Sequence, residues 1–319
     1  MASLQIVEFH GKTNRISLSS WGARICDWNV LDPVGNTWRK ICKGNGRVAP
    51  TQDAYRHCVM FPWVNRVRPP DWTLSENGKP DVRVKVEPFP GNLHGLLVDA
   101  IFEVTESTPS TVMFETTLST SAQYPVPLRC YVMYRLEMVE TPNGSVAEEA
   151  LSVQIIAKNL GERRAYVTTG LHPYFLNPYA DNETGGGLVD HMAFFCAAEK
   201  EVEVDEQLLP RGLHKVKTEH AFHLPEGRLI GQTKFDNGFV VKKGSPIIAS
   251  LRIRNFQLHI LAGQNSEYVQ VYIPGDRHEI AIEPQSGGAD AYHHHQYGLA
   301  LVDPAQEWRF STVMYALFA

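Results

Sequence analysis

The chain is poor in the features that define several protein classes. Its 319 residues include five cysteines (Cys26, Cys42, Cys58, Cys130 and Cys196), odd in number, widely spaced and never in a C-x-x-C pair. That pattern argues against a disulfide framework or a cysteine-built zinc site, and fits free thiols in a reducing cytoplasm. Long apolar runs are missing too: stretches such as Met192 to Ala198 are strand-sized and too short to cross a bilayer. The opening MASLQIVEFHGK has no basic segment followed by an apolar one, so no secretory signal is read there. Without a secretory route the sequons at Asn143 and Asn182 are chance matches. No lysine- or arginine-rich block accompanies the net charge of −5, which excludes nucleic acid and an acidic membrane as expected partners.

Sustained helical periodicity is the next absence. In its place stand short, roughly alternating segments rich in β-branched and aromatic residues: Thr111 to Leu118, Tyr131 to Met138, Leu151 to Ala157 and Tyr268 to Ile273. Turn chemistry separates them, at Asp32-Pro33, Asn77-Gly78, Asn143-Gly144, Gly244-Ser245-Pro246, Pro90-Gly91 and Pro274-Gly275. Phe239 to Ala262 reads as two strands around the Gly-Ser-Pro turn, and Asp181 to Gly187 as a surface loop. Glu199 to Leu209 alone reads as a short helix. With 24 glycines and 20 prolines, the expected fold is all-β, a large antiparallel β-sandwich or barrel. No repeat, linker or shift in composition divides the chain, so residues 1–319 read as one domain.

Five places put polar residues inside apolar or tightly turned sequence. In FPWVNRVRPP, Asn65 and Arg66 follow bulky residues and precede two prolines; the turn either aims the guanidinium into a cleft or closes at the surface. In GNLHGLL, His94 is a ligand-facing residue or a satisfied core histidine. In TTGLHPYFLNP, Pro173 fixes the backbone after His172, and Tyr174 and Phe175 offer rings of the kind sugars stack on. In KFDNGFVV, Asp236 opens an Asp-Asn-Gly sequence that is also ordinary hairpin chemistry. In EIAIEPQSGGADAY, Glu283 ends an alternating strand, as a catalytic base or an exposed strand terminus.

The order of these motifs resembles the galactose mutarotase-like aldose 1-epimerase family. The residues that carry the likeness are Asn65-Arg66, Leu93-His94-Gly95, His172-Pro173-Tyr174-Phe175, Asp236-Asn237-Gly238-Phe239 and Glu283. Gly22-Ala23 with the later Asp32-x-x-Gly35 turn, and the closing LVDPAQEWRFSTVMYALF, extend it over essentially the whole chain. Pro173 in place of a serine, GNLHGLL and EPQSGGADAY depart from the galactose enzymes and point to a divergent branch. The resemblance implies a β-supersandwich, a small-molecule sugar as partner, no cofactor and no metal; a homodimer is left open. It also implies that Glu283 is the base and His172 the acid of anomer interconversion. Arg66, His94, Asp236 and Asn65 would then hold the sugar, with Trp63, Tyr174 and Phe175 against its ring.

Ring opening needs one proton removed from the anomeric hydroxyl and one delivered to the ring oxygen, with no redox change. Two positioned proton carriers, at roughly a hundred- to ten-thousandfold each, suffice. Three rivals stand beside this reading. A sugar-phosphate epimerase needs several converging cations, for which Arg68 near Arg66 is a candidate. A silent sugar-binding protein needs no acid–base pair. A metal site at His293-His294-His295 is disfavoured, because adjacent residues of a strand point to opposite faces.

Overall fold

Alternation in the sequence becomes pleat in the structure. The computed structural model describes residues 3–44, 55–141, 147–180, 187–222 and 227–318. Among them are strands joined by turns and three single-turn 3₁₀ helices. An N-terminal sheet of four strands runs in order through Ile6–His10, Asn14–Ser19, Arg24–Asp32 and Thr37–Lys43. Gly22 and Ala23, with φ of 64° and 46°, make its tight corner, and Asp32 Oδ1 accepts from the Val34 N–H in the Asp-x-x-Gly turn.

The nine-stranded sheet is centred on the long strands Leu128–Glu140, Ala147–Asn159 and Glu307–Phe318, all antiparallel. The first shows a simple two-residue pattern: Leu128, Cys130, Val132, Tyr134 and Leu136 are buried, and the residues between them face outward. Across neighbouring strands, Phe114, Val132, Ile155 and Phe310 form one apolar row, each fully buried. An eight-stranded sheet holds, in order, Pro210–Lys215, Ala198–Val204, Asp236–Val241, Tyr268–Tyr272, Glu279–Gln285, Gly170–Leu171 and Val59–Met60, with Tyr174–Leu176 also on Glu279–Gln285. Apolar residues of all three sheets join one continuous core.

Three local expectations change. Glu199 to Leu209 is a strand, Ala198–Val204, followed by a turn in which Asp205 Oδ1 accepts from the Gln207 and Leu209 N–H groups. Its Glu and Lys content favours a helix, but pairing on both sides, with Asp236–Val241 and Pro210–Lys215, overrides that preference. Phe239 to Ala262 contains three strand segments rather than two, Asp236–Val241, Ile247–Ile253 and Phe256–Ala262. The Gly-Ser-Pro turn carries the chain from the eight-stranded sheet to the nine-stranded one, so it is a crossing and not a hairpin. Asn237-Gly238 lies inside a strand, where the Asn237 amide donates to buried Glu201; it is not a turn.

Asn77-Gly78 does close a hairpin, between Asp71–Leu74 and Val82–Lys85. All five cysteines are free and buried. Among the described residues no helix is long and apolar enough to cross a membrane. The Asn143-Gly144 turn, both sequons and nearly all of the 181–187 loop lie outside the described residues.

Candidate active site

One strand sets the geometry. Glu279–Gln285 sends Ile280 and Ile282 into the core and presents Glu279, Ala281, Glu283 and Gln285 on its other face. Gln270 lies across from Glu283 on the next strand, and Gly238 beyond Gln270. On the other side, Gly170–Gln285 and Tyr174–Ala281 share one register, which sets His172 opposite Glu283. The result is a polar row of Gly238, Gln270, Glu283 and His172. Two residues along, a second row holds Asp236, Tyr272, Ala281 and Tyr174.

His172 sits in a break between two strand fragments because Pro173 has no N–H to continue the ladder. Its backbone is held from both sides: its N–H donates to Cys58 O at 3.1 Å, and its carbonyl accepts from the His57 N–H at 3.0 Å. The ring stacks on Tyr174, with centroids 4.9 Å apart and planes 11° from parallel. Nε2 lies 3.4 Å from Glu283 Oε1, and Gln285 Nε2 donates to the other carboxylate oxygen at 2.9 Å. Behind them, His57 Nδ1 accepts from the Tyr174 N–H at 3.3 Å, so Nε2 carries the proton and donates to Lys43 O at 3.1 Å.

Asn65, Arg66 and His94 come from a second support. Arg66 pairs with Leu93 through an isolated bridge, and the His94 N–H donates to Asn65 O at 2.8 Å. Asn65 and His94 have φ of 50° and 58°, a left-handed backbone that Asn tolerates and that costs His94 conformational energy. Gly95 is required beside it, because a Cβ there would come within 2.1 Å of Phe61 O. The His94 ring packs edge-on to His172 at 4.9 Å, and its Nδ1 is buried with no hydrogen-bond partner among the described residues. Asp290, fully buried, holds the same segment by donating its N–H to Arg66 O and accepting from Arg68.

Together these residues line a cleft of about 280 Å³ that includes Asn65, Arg66, His94, His172, Tyr174, Asp236 and Glu283. Asp236 stands at its open side, fixed by Gln270 Nε2 at 3.0 Å. Burial dominates the electrostatics. It raises the Glu283 carboxyl well above its ordinary range, helped by Asp236 and opposed by Gln285 and Arg66. It pushes His172 down to about 3 and His94 well below the ordinary histidine value. The Asp236 carboxyl is raised as well, held back by Arg66 and Gln270. A carboxyl pushed up next to an imidazole pushed down is an arrangement suited to sharing one proton.

Two expected ring contacts fall elsewhere. Trp63 is a core residue: its Nε1 donates to Asn92 O at 3.1 Å and its ring meets Tyr292 edge-on, which braces the segment carrying His94 instead of facing the cleft. Phe175 points to the opposite side of its strand from Tyr174 and is buried in the core. The histidine run is also used structurally: His293 and His294 reach Asp290, and His295 packs edge-on to Tyr166. Among the described residues no group of three or more His, Cys, Asp or Glu is arranged to hold a metal ion. Gln270, Tyr272 and Tyr55 line the cleft without having been singled out from the sequence. Gln270 had a signal there, as the polar interruption of an otherwise apolar and aromatic strand.

The model of the aldose 1-epimerase family matches residues 5–315. The chain belongs to that family. It is 28% identical, over 73% of its length and 70% of the other's, to YihR, an uncharacterized protein of Escherichia coli K12. Among solved structures it is similar to a GalM/aldose epimerase homologue from C. elegans, with a TM-score of 0.79 and 17% identity over 99% of this chain and all of that one. A galactose mutarotase-like protein from Clostridium acetobutylicum gives 0.79 and 14%, covering 99% and 98%. Galactose 1-epimerase from Lactobacillus acidophilus gives 0.74 and 15%, with both chains fully covered. At these identities the structures share the fold, the galactose mutarotase-like supersandwich. Family membership supports an isomerase.

Proposed function

We propose that the protein is an aldose 1-epimerase that interconverts the α and β anomers of an unphosphorylated hexose. The observation that carries this reading is the buried contact between His172 Nε2 and Glu283 Oε1, 3.4 Å apart in the cleft. The anomeric carbon bears both reacting oxygens, the hydroxyl and the ring oxygen, so donor and acceptor must themselves be neighbours. Glu283 takes the anomeric hydroxyl proton and the C1–O1 bond becomes a carbonyl. The electron pair of the breaking C1–ring oxygen bond goes to the ring oxygen, which receives a proton from His172. After rotation about C1–C2, reclosure runs the same transfers backwards and restores both residues.

The pair therefore works with one proton between its members. In the free protein burial favours that proton on Glu283. Arg66, which lowers the carboxyl's hold on it, supports its passage to His172 when a sugar is bound. Arg66 and His94 steady the charge developing on the ring oxygen, and Asp236 accepts from sugar hydroxyls. Tyr174, already stacked on His172, is the aromatic ring nearest the reaction.

The rival substrate class, a hexose phosphate, calls for several converging cations, and only one guanidinium supports it among the described residues. Arg66 is the one guanidinium lining the cleft among the described residues. Arg68 is engaged by Asp290, and Arg56 by Glu279 beneath Tyr174. The test is anomer exchange measured by NMR on glucose, galactose and their 6-phosphates. Faster exchange of a free hexose is expected. Preference for a phosphate would overturn the substrate class, and saturable sugar binding with no rate gain would overturn the enzymatic reading.

A further inference from the structure

His57 is a buried histidine that the proton transfer above does not use, and it touches the acid from behind. Tyr174–Leu176 pairs with Glu279–Gln285 so that the Ile282 N–H donates to Pro173 O at 3.2 Å. In that register Tyr174 faces Ala281 without exchanging hydrogen bonds, and its N–H points away from the partner strand. The His57 ring lies there. Its Nδ1 accepts from the Tyr174 N–H at 3.3 Å, while the His57 N–H donates to His172 O at 3.0 Å. One residue thus holds backbone groups on both sides of Pro173, which has no N–H of its own to give. The far edge of the ring is anchored in the four-stranded N-terminal sheet. There Nε2 donates to Lys43 O at 3.1 Å, and a Cβ on Gly44 would stand 3.0 Å from Cδ2. Arg24, buried in the same sheet, donates to Arg56 O at 3.3 Å and ties down the turn that carries His57. His57 keeps a left-handed φ of 57°, which costs a histidine conformational energy and persists where the surroundings impose it. Burial pushes its imidazole down to about 3, so it stays neutral, an acceptor at Nδ1 and a donor at Nε2.

We propose that His57 is a positioning residue for the reaction, fixing the His172 imidazole against Glu283 through the Tyr174 N–H and the His172 carbonyl. This rests on the anomerase reading above. Tyr174 is the lever: its ring lies 4.9 Å from that of His172 and nearly parallel to it. A shift of the Tyr174 backbone therefore moves the surface on which the imidazole rests. Displacement of a reacting group by about 1 Å costs about a hundredfold in rate. The residues that hold the sugar stand on other segments, Arg66 and His94 on their paired turns and Asp236 at the start of its strand. Loss of the His57 contact falls on proton transfer more than on binding. The N-terminal sheet, whose described residues line none of the cleft, reaches the reaction through this ring.

The test separates the two ring nitrogens. Asparagine offers an acceptor where His57 has Nδ1, tolerates the left-handed backbone and has nothing at Nε2. Glutamine offers a donor where His57 has Nε2 and nothing at Nδ1. Anomer exchange is measured by NMR on the purified full chain, well below each variant's unfolding transition, with the free hexose that the parent chain exchanges fastest. His57→Asn is expected to keep kcat within about threefold. His57→Gln should lose about ten- to a hundredfold in kcat, with KM within about twofold. With His172→Ala already present, His57→Gln should slow exchange by less than about twofold more, because it acts through that imidazole. The proposal is overturned by full kcat in His57→Gln, by a loss that appears in KM, or by a loss undiminished when His172 is absent. It is overturned equally if His57→Asn loses as much as His57→Gln or does not fold, since the ring then serves as packing or as the tie to Lys43. Should His57→Gln not fold, His57→Asn decides alone, a loss of about tenfold in kcat overturning the role. No exchange by the parent chain would overturn the anomerase reading itself, an outcome separate from any pattern among the variants.

Discussion

The two large sheets use the same backbone periodicity for opposite ends. In the nine-stranded sheet, Leu128–Glu140 alternates buried and outward residues, and its inner row is Phe114, Val132, Ile155 and Phe310. In the eight-stranded sheet, Glu279–Gln285 is buried on both faces, and the row on its second face is Gly238, Gln270, Glu283 and His172. The apolar row gains free energy from every atom withdrawn from water. The polar row pays for the same withdrawal, and recovers only part through pairs such as Gln285 with Glu283. A fold tolerates such a row where its chemistry is used.

Loss of the polar row's proton carriers should act first on rate. His172→Ala and Glu283→Gln are each expected to slow anomer exchange at least about a hundredfold, the contribution of one positioned proton carrier. Neither should lower the urea midpoint, because each removes a group whose charging burial opposes. Near-normal exchange in either purified, folded variant would remove the pair from the mechanism. A large loss of stability instead would mean that the polar row serves as scaffold.

The reverse is expected on the other sheet. Ile155 lies fully buried between Val132 and Phe310, and Ile155→Ala should cost about 2–5 kcal/mol of stability through lost burial and the cavity it leaves. With the variant held well below its unfolding transition, kcat/KM should stay within about twofold of the parent chain. A rate loss comparable to that of Glu283→Gln would mean that the two sheets are coupled more tightly than their separate rows suggest.

The difference between the rows also explains what the sequence disclosed. The apolar row was legible, because alternation of large apolar residues has few meanings in a β protein. Of the polar row, Glu283 and His172 stood out because each directly precedes a proline and through the order of motifs, whereas Gln270 looked like one polar residue in a strand. Register supplies what sequence lacks: only the pairing shows that Gln270, Glu283 and His172 share a row. Trp63 shows the converse limit. An aromatic beside Asn65-Arg66 is equally placed to touch a sugar or to brace the turn, and the Asn92 carbonyl draws its N–H inward. Glu199 to Leu209 went astray because local propensity carries no knowledge of the strands that wait on either side.

A smaller effect tests whether the polar row is as dry as its burial implies. Exposed, a histidine titrates near 6.5 and a glutamate near 4.5, and a pair of that kind would show its inflections there. Burial moves the two apart: His172 falls to about 3 and Glu283 rises well above 4.5. As pH drops, the pair takes up a second proton, and so can accept none from the sugar, only when His172 is protonated, near 3. As pH rises, it loses the one proton it shares only when Glu283 ionises, above its raised value. The pH–rate profile of kcat/KM should therefore carry no acid limb centred near 6.5, and its alkaline limb should report the carboxyl. Asp236→Asn removes the neighbouring negative charge that helps raise Glu283, so it should move the alkaline limb toward lower pH. An acid limb at 6.5 that vanishes in His172→Ala would show instead that water reaches the imidazole, and that the second face of the eight-stranded sheet is solvated like the outer face of the first.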